Sequence, residues 1–270
     1  MGRYGSEVQR YYDRTAKEEW DRLERHRLEY EVTIRILEAY LEPRSRVLDA
    51  GGGPGRYSIH LAERGHDVTL LDLSRACVDL AREKAREQDI ELAGYHCGDA
   101  RDLSAFPSQS FDAVLLMGPL YHLLDEDDRR AAVREALRVI TGGGLLFAAF
   151  IGRYAPLLDM ARAYPEQIDY LWDRIGQVLA DGINLPSEDP DFGFTAAYFA
   201  HPDEIRPFME DCGLATLRLC TVEGIGAPVA EGLYDLGEEQ FQLWTDLLYQ
   251  IGDDPCLFGA GDHMLYVGRK

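Results

Sequence analysis

The sequence predicts an α/β fold, a doubly wound and mostly parallel sheet of seven strands with helical insertions. Three observations carry that expectation. From residue 46 onward, short apolar runs alternate with amphipathic segments. One run, AVLLM at 113–117, is apolar throughout, as a strand covered on both faces must be. A glycine turn, GGGPG at 51–55, joins the first strand to the next helix.

Taken in order, Trp20, Leu23, Tyr30, Ile34, Leu37 and Leu41 repeat at +3 and +4, with Arg27 filling the one gap. That stripe predicts one amphipathic helix, opened by a Thr15/Glu18 capping box and ended by Pro43. Strand RVLDA follows, then a helix from Pro54, strand DVTLLDL, a helix over 74–88, and strands ELAGYHC and FDAVLLM. A helix over 128–140 leads into strand GGLLFAAFI. Residues 153–200 read as a helical insertion, with helices in APLLDMARAY and IDYLWDRIGQVLA and loop between. The sheet resumes with helix PDEIRPFMEDCG and strand ATLRLCTVEG, is interrupted by a second helical insertion at 226–261, and closes on HMLYVGR. This gives an N-terminal segment, 1–41, and a sheet domain, 42–270, carrying both insertions.

The chain has 270 residues, 46% of them hydrophobic, enough for one large core with a cap. Its net charge is −20, and the stretch from Arg153 to Asp262 accounts for most of it, with 5 Arg, no Lys and 21 Asp or Glu. Neutralising phosphates takes clustered Lys and Arg, so a nucleic-acid partner is not expected. No apolar run approaches the roughly 20 residues of a membrane span, and the polar start is unlike a secretory signal, so a cytoplasmic protein without a membrane partner is expected. The five cysteines are far apart with no C-x-x-C pair, which predicts buried thiols rather than a zinc site or disulfides. A monomer or a homodimer is expected.

The stretch VLDAGGGPGRYS narrows the ligand. A dinucleotide turn wants G-x-G-x-x-G, and its third glycine is replaced by Arg56. Asp49, two residues before the first glycine, would repel a phosphate but suits a cationic ligand. S-adenosylmethionine is such a ligand, with an amino group, a sulfonium and a ribose diol and no phosphate.

At this point the sequence resembles the class I S-adenosylmethionine-dependent methyltransferases, whose fold is a Rossmann-like seven-stranded sheet. VLDAGGGPG is similar to their first motif, with Asp49, Gly51, Gly53 and Gly55 in the matching places. VTLLDLS resembles their second-strand motif, which implies that Asp72 holds both ribose hydroxyls and Leu73 lies along the adenine. CGDARDL resembles the segment whose Asp99 accepts from the adenine amine and whose Ala100 donates its backbone N–H to the ring. FDAVLLMGPLYHL resembles the fourth strand and its exit loop, with Met117 facing the methionine part. QRYYDRTAKEEW resembles the leading helix of small-molecule members, which implies that Tyr12 covers the methionine carboxylate.

The resemblance implies S-adenosyl-L-methionine as cofactor, S-adenosyl-L-homocysteine as product, and in-line methyl transfer to O, N or C of a small organic acceptor. Two other readings stand beside it: a protein methyltransferase, and a non-catalytic S-adenosylmethionine-binding protein. Candidate acid or base groups are Tyr121 and His122 in GPLYHLL, adjacent in sequence, so that only one is expected to face the pocket. His201 is the second choice, with an N-cap role before Pro202 the stronger reading. No metal is expected, because the acids at 125–128 suit a helix start better than a cation. The aromatics Tyr154, Tyr164, Tyr170, Trp172, Phe192, Phe194, Tyr198 and Phe199 are expected mainly as cap core, with two or three of them touching substrate. The N-terminal segment and both insertions are expected to close over the donor as a lid.

Overall fold

The computed structural model describes residues 5–186 and 194–270. Phe192, one of the expected cap aromatics, lies outside the described residues. Seven strands form one sheet: β1 (Arg46–Ala50), β2 (Asp67–Asp72), β3 (Gly94–Cys97), β4 (Phe111–Leu116), β5 (Ile140–Ile151), β6 (Ala215–Thr221) and β7 (His263–Arg269). Their spatial order is 3-2-1-4-5-7-6. The first five pair in parallel, and β7 runs antiparallel to both β5 and β6. The order reverses between β1 and β4, which opens a crevice at the carboxyl ends of those strands, where such sheets place ligands.

Successive strand residues face opposite sides, so the sheet divides its apolar side chains between two cores. Val47, Ala113, Leu115, Leu145 and Phe147 lie on one side with Leu28, Val32, Ile36 and Leu37 of the N-terminal region. Leu48, Val114, Leu116, Leu146 and Ala148 lie on the other with Ala132, Val133, Ala136 and Val139. Every one of these is buried, which is why the strands read as continuous apolar runs.

The single helix expected from Trp20 is two helices, α1 (Gly5–Arg25) and α2 (Arg27–Tyr40). His26 takes a non-helical φ of −107° and ψ of 55° between them. Thr15 does not cap a helix; it sits at a kink inside α1, with its hydroxyl donating to Tyr11 O at 2.9 Å. Two anchors hold α1 over the sheet domain. Asp13 accepts from Ser74 Oγ at 2.6 Å and Ala76 N at 3.2 Å. Arg56 stacks 3.9 Å over the Trp20 ring while its Nε donates to Trp20 O at 2.9 Å.

The remaining helices are α3 (Arg56–Glu63), α4 (Arg75–Glu87), the single turn α5 (Pro119–His122), α6 (Glu126–Val139), α7 (Ala155–Ala163), α8 (Ile168–Asp181), α9 (Pro202–Asp211), α10 (Ala230–Tyr234) and α11 (Glu238–Ile251). In the first insertion, Ile183–Asn184 pairs antiparallel with Ala197–Tyr198 where only loop was expected at the first of these. The second insertion is placed differently from the lid expectation. Its α11 packs on α2, with Phe241 fully buried under the Arg27 guanidinium at 4.0 Å and ion pairs Arg27–Glu238 and Arg35–Asp246. It backs the N-terminal helices rather than covering the crevice.

Cys77 and Cys220 are buried as expected; Cys97, at the end of edge strand β3, and Cys256 are exposed, and Cys212 is intermediate. Tyr170 and Trp172 are 78% and 67% exposed, so these two are not cap core. Among the described residues no helix is long and apolar enough to cross a membrane.

Candidate active site

The glycine loop forms where β1 ends. Gly51 has φ +87°, and a Cβ there would come within 2.4 Å of Pro119 Cγ, so only glycine lets the loop after β4 close against it. Gly53 has φ +54° and nothing within 4 Å of a built Cβ, so its outer side faces open space. Gly55, also left-handed, caps α3, and a Cβ there would come within 3.0 Å of Ala81 Cβ; its task is helix packing rather than lining.

A cavity lies above this loop. Its wall takes Gly51, Gly53, Asp72, Leu73, Asp99, Ala100 and Met117 from the ends of β1 to β4, with Tyr12 from α1 and Tyr121 and His122 from α5. Asp72 is fixed by two backbone donors, Gly53 N to Oδ2 and Ser74 N to Oδ1, both at 2.8 Å. Burial is the main cause that raises its pKa, to about 6. Asp99 is gripped by Arg101, Nη2 to Oδ2 at 2.6 Å, and Arg101 also reaches Asp128 at 2.7 Å. Burial alone would raise the Asp99 pKa, but the hydrogen bonds from Arg101 outweigh it and lower it.

Asp49 is placed differently from a lining group. It is fully buried behind the loop, Oδ2 accepting from Ser58 Oγ at 2.7 Å and Oδ1 without a partner. A Cβ on Gly52 would meet Asp49 Oδ2 at 2.7 Å, so the carboxylate stands directly under the loop backbone.

Both Tyr121 and His122 line the cavity, correcting the expectation that only one could. A single helical turn at the neck of the crevice presents both rings, 4.7 Å apart between centroids. Tyr121 OH donates to Met117 O at 3.1 Å. His122 Nδ1 lies 3.1 Å from Ala196 O, which can only accept, so Nδ1 carries the proton. Nε2 therefore accepts from Tyr12 OH at 2.8 Å. Burial pushes the His122 pKa down to about 4, so the ring is neutral near neutral pH. His201 lies elsewhere, as N-cap of α9 in a capping box with Glu204.

A second cavity, of about 540 Å³, adjoins the first beneath the first insertion. Tyr12, Glu19, Arg22 and Tyr121 line both. Ile151, Met160, Leu171, Val178, Phe194 and Phe199 supply apolar wall. Of the expected cap aromatics among the described residues, Tyr164, Phe194 and Phe199 line it. Glu19, Arg22, Arg101 and Arg174 are lining residues the sequence reading did not single out; the i,i+3 spacing of Glu19 and Arg22 on a helix was the one available signal.

A family model described as a methyltransferase domain matches residues 47–144, the span from β1 into β5 that builds the first cavity. A ubiquinone biosynthesis O-methyltransferase of Coxiella burnetii is 28% identical over 209 residues, covering 77% of this chain and 79% of that protein. The chain is a class I S-adenosylmethionine-dependent methyltransferase. A tRNA 5-carboxymethoxyuridine methyltransferase of Escherichia coli is 32% identical over 126 residues, covering 46% of this chain and 47% of the relative. In fold, this methyltransferase is similar to the 1,6-didemethyltoxoflavin-N1-methyltransferase of Burkholderia thailandensis, with a TM-score of 0.62 at 15% identity over 99% of this chain and 88% of that one. A methyltransferase from Methanosarcina mazei superposes with a TM-score of 0.59 at 21% identity, covering 87% and 96%. The cofactor is S-adenosylmethionine. The cavity above the glycine loop fits it: Gly53 leaves room for close approach, and the Asp72 carboxylate on the wall favours a sulfonium and an ammonium over a phosphate.

The buried acid under the loop has a measurable consequence. Burial, with a smaller contribution from Asp72, raises the Asp49 pKa from 3.8 to about 7. The unfolded chain ionises Asp49 near its ordinary pKa while the folded protein resists, so stability is lost as pH rises through about 7. At about 1.4 kcal/mol per pKa unit, the cost above that pH is a few kcal/mol. Asp49→Asn is expected to raise the melting temperature of the ligand-free enzyme at pH 8 and to leave it nearly unchanged at pH 4. A melting curve series that shows no pH-dependent gain would contradict the buried-charge assignment.

Proposed function

We propose that this methyltransferase transfers the methyl group to a small organic acceptor held in the cavity beneath the first insertion. The observation that carries the reading is the shared wall: Tyr12, Glu19, Arg22 and Tyr121 border both cavities, so a donor in one and an acceptor in the other meet there. When bound, S-adenosylmethionine supplies an electrophilic methyl on a sulfonium sulfur. The protein aligns the acceptor and excludes water, and positioning of this kind is worth effective molarities of about 10⁵ to 10⁸ M.

In this reading Asp72 accepts from the ribose hydroxyls, Leu73 lies along the adenine, and Asp99 and Ala100 read the adenine edge. Gly51 and Gly53 admit the methionine part, which Met117 and Tyr12 flank. Asp49 acts through the field it sets under the loop. His122 is a proton acceptor reached through the Tyr12 hydroxyl, and Glu19 is the carboxylate at the junction, whose Oε1 already accepts from Arg22 Nε at 2.8 Å. The relative from Escherichia coli is named for a tRNA acceptor. The acidic cap disfavours a polyanion, and a cavity with largely apolar walls suits a small organic molecule.

Ile175, partly buried on α8, lines only the second cavity. Ile175→Trp is expected to leave S-adenosylhomocysteine affinity unchanged and to lower turnover of any small acceptor at least tenfold. Equal turnover by the variant, measured with acceptors the native enzyme uses, would remove the second cavity as the acceptor site.

A further inference from the structure

Among the described residues, the second cavity holds one cation that no carboxylate answers. Its other cations are claimed: Arg22 by Glu19 and Glu29, Arg162 by Asp262 at 2.7 Å, and His263 by Glu223 at 2.6 Å. Arg174, on α8, lines the same cavity and meets neutral oxygens instead. Its Nε and Nη2 donate to Asn184 Oδ1 at 3.0 and 2.8 Å, and Nη2 also donates to Leu185 O at 2.7 Å. Among the described residues no carboxylate pairs with Arg174, and Nη1 has no partner.

The guanidinium is also aimed. Asn184 is buried, and its Nδ2 donates to Thr195 O at 3.1 Å, which turns Oδ1 toward Arg174. One edge of the fork is thus fixed by a neutral amide, and Nη1 is left over. Burial lowers the Arg174 pKa, as it does for a cation that loses water without gaining an anion.

On the reading that the acceptor occupies this cavity, we propose that Arg174 selects an acceptor bearing a carboxylate, held at the end remote from the methylated atom. Arg174 lines the acceptor cavity and not the donor cavity, so an anion on it leaves the far end of the molecule at Tyr12 and Tyr121. The apolar wall between these two ends calls for an aromatic or similarly apolar body. The Nη1 amino group keeps both of its hydrogens for a charge-assisted hydrogen bond to a carboxylate oxygen, and Asn184 is the positioning residue that presents it.

The test uses phenol, indole and naphthalene scaffolds, each with a short tail ending in a carboxylate, a carboxamide or an ammonium. Binding is measured by calorimetry to the full-length enzyme saturated with S-adenosylhomocysteine. On at least one scaffold the carboxylate should bind at least tenfold tighter than the other two tails. Arg174→Gln should abolish that preference, and Asn184→Asp, which supplies an internal counter-ion, should suppress it. Both variants should keep native S-adenosylhomocysteine affinity, which reports that they are folded. If the amide or the amine equals or exceeds the acid on every scaffold, or if the preference survives in Arg174→Gln, the assignment is wrong. The amine case would point to Asp159, whose carboxylate accepts from Tyr164 OH at 2.8 Å, as the recognition group instead. Acid binding that Ile175→Trp does not weaken would overturn the cavity reading itself, whereas a preference surviving only in Arg174→Gln overturns the anion site alone.

Discussion

Replacing Asp72 by Ala is expected to weaken binding of S-adenosylmethionine and S-adenosylhomocysteine at least a hundredfold. The carboxylate stands at the carboxyl end of β2 on the cavity wall, locked by Gly53 N and Ser74 N, so its remaining lone pairs face the ligand without rotational freedom. Two hydroxyl donors to a charged acceptor contribute about 1.5–3 kcal/mol each, and losing about 3 kcal/mol weakens binding roughly a hundredfold. Alanine also strips Gly53 N of its acceptor, which loosens the glycine loop. Asp72→Asn keeps one acceptor and should fall between. Because burial holds the Asp72 pKa near 6, affinity should decline as pH drops through that value and the carboxyl loses its charge. Calorimetry on the folded variants decides the matter; an unchanged Kd for Asp72→Ala sinks the ribose assignment.

The parts of this site that were legible in the sequence are those fixed by short stretches of backbone. A strand, a glycine turn and a helix must be consecutive, so the loop and the acids at the strand ends follow from order alone. Gly51 and Gly53 stand on the cavity wall, but Gly55 spends its missing Cβ on Ala81, a contact with α4 that no local pattern encodes. Asp49 is the subtler case. Its position beside the loop was readable, yet its burial behind Gly52 depends on how the pleat of β1 turns alternate residues, and that sends it away from the cavity.

What was not legible depends on contacts between distant segments. The stripe from Trp20 to Leu41 has helical period throughout, so nothing local marked the break at His26. The break follows from tertiary demands: α1 must lie along α4 and the cavity mouth, while α2 must bury Leu28, Val32 and Ile36 against the sheet. The second insertion has the composition of a lid, but its acids Glu238 and Asp246 meet Arg27 and Arg35 on α2 and hold it behind the N-terminal helices. Arg174 was hidden for the same reason, since its lack of a carboxylate partner among the described residues is a property of the folded cavity.

Arg22→Leu is expected to destabilise the enzyme by about 3 kcal/mol, the lower part of the range for removing one partner of a buried ion pair, because the Arg22 side chain keeps 26% exposure. Arg22 Nη1 and Nη2 donate to Glu29 at 2.6 and 3.1 Å, Glu29 lies 3.7 Å from His263 Nδ1, and His263 pairs with Glu223 at 2.6 Å. Glu29, Glu223 and His263 bring three ligand-type atoms within 4.8 Å, but their charges are already balanced by the guanidinium and the imidazolium proton. The cluster joins α1 and α2 to the ends of β6 and β7, so it fastens the N-terminal helices to the sheet. Burial alone would lower the His263 pKa; Glu29 and Glu223 outweigh it and raise it from 6.5 to about 9. Its contribution to stability is therefore complete below pH 6.5 and is lost as pH rises through about 9. Removing Arg22 takes away a repelling cation, so the alkaline loss should move to higher pH even as overall stability falls. The double variant Arg22→Leu/Glu29→Gln, which leaves His263 and Glu223 as a balanced pair, should recover most of the loss. Chemical denaturation across pH 6 to 10 separates the outcomes: a single variant as stable as the native enzyme, or a double variant no better than the single, would show that the cluster is not held by charge balance.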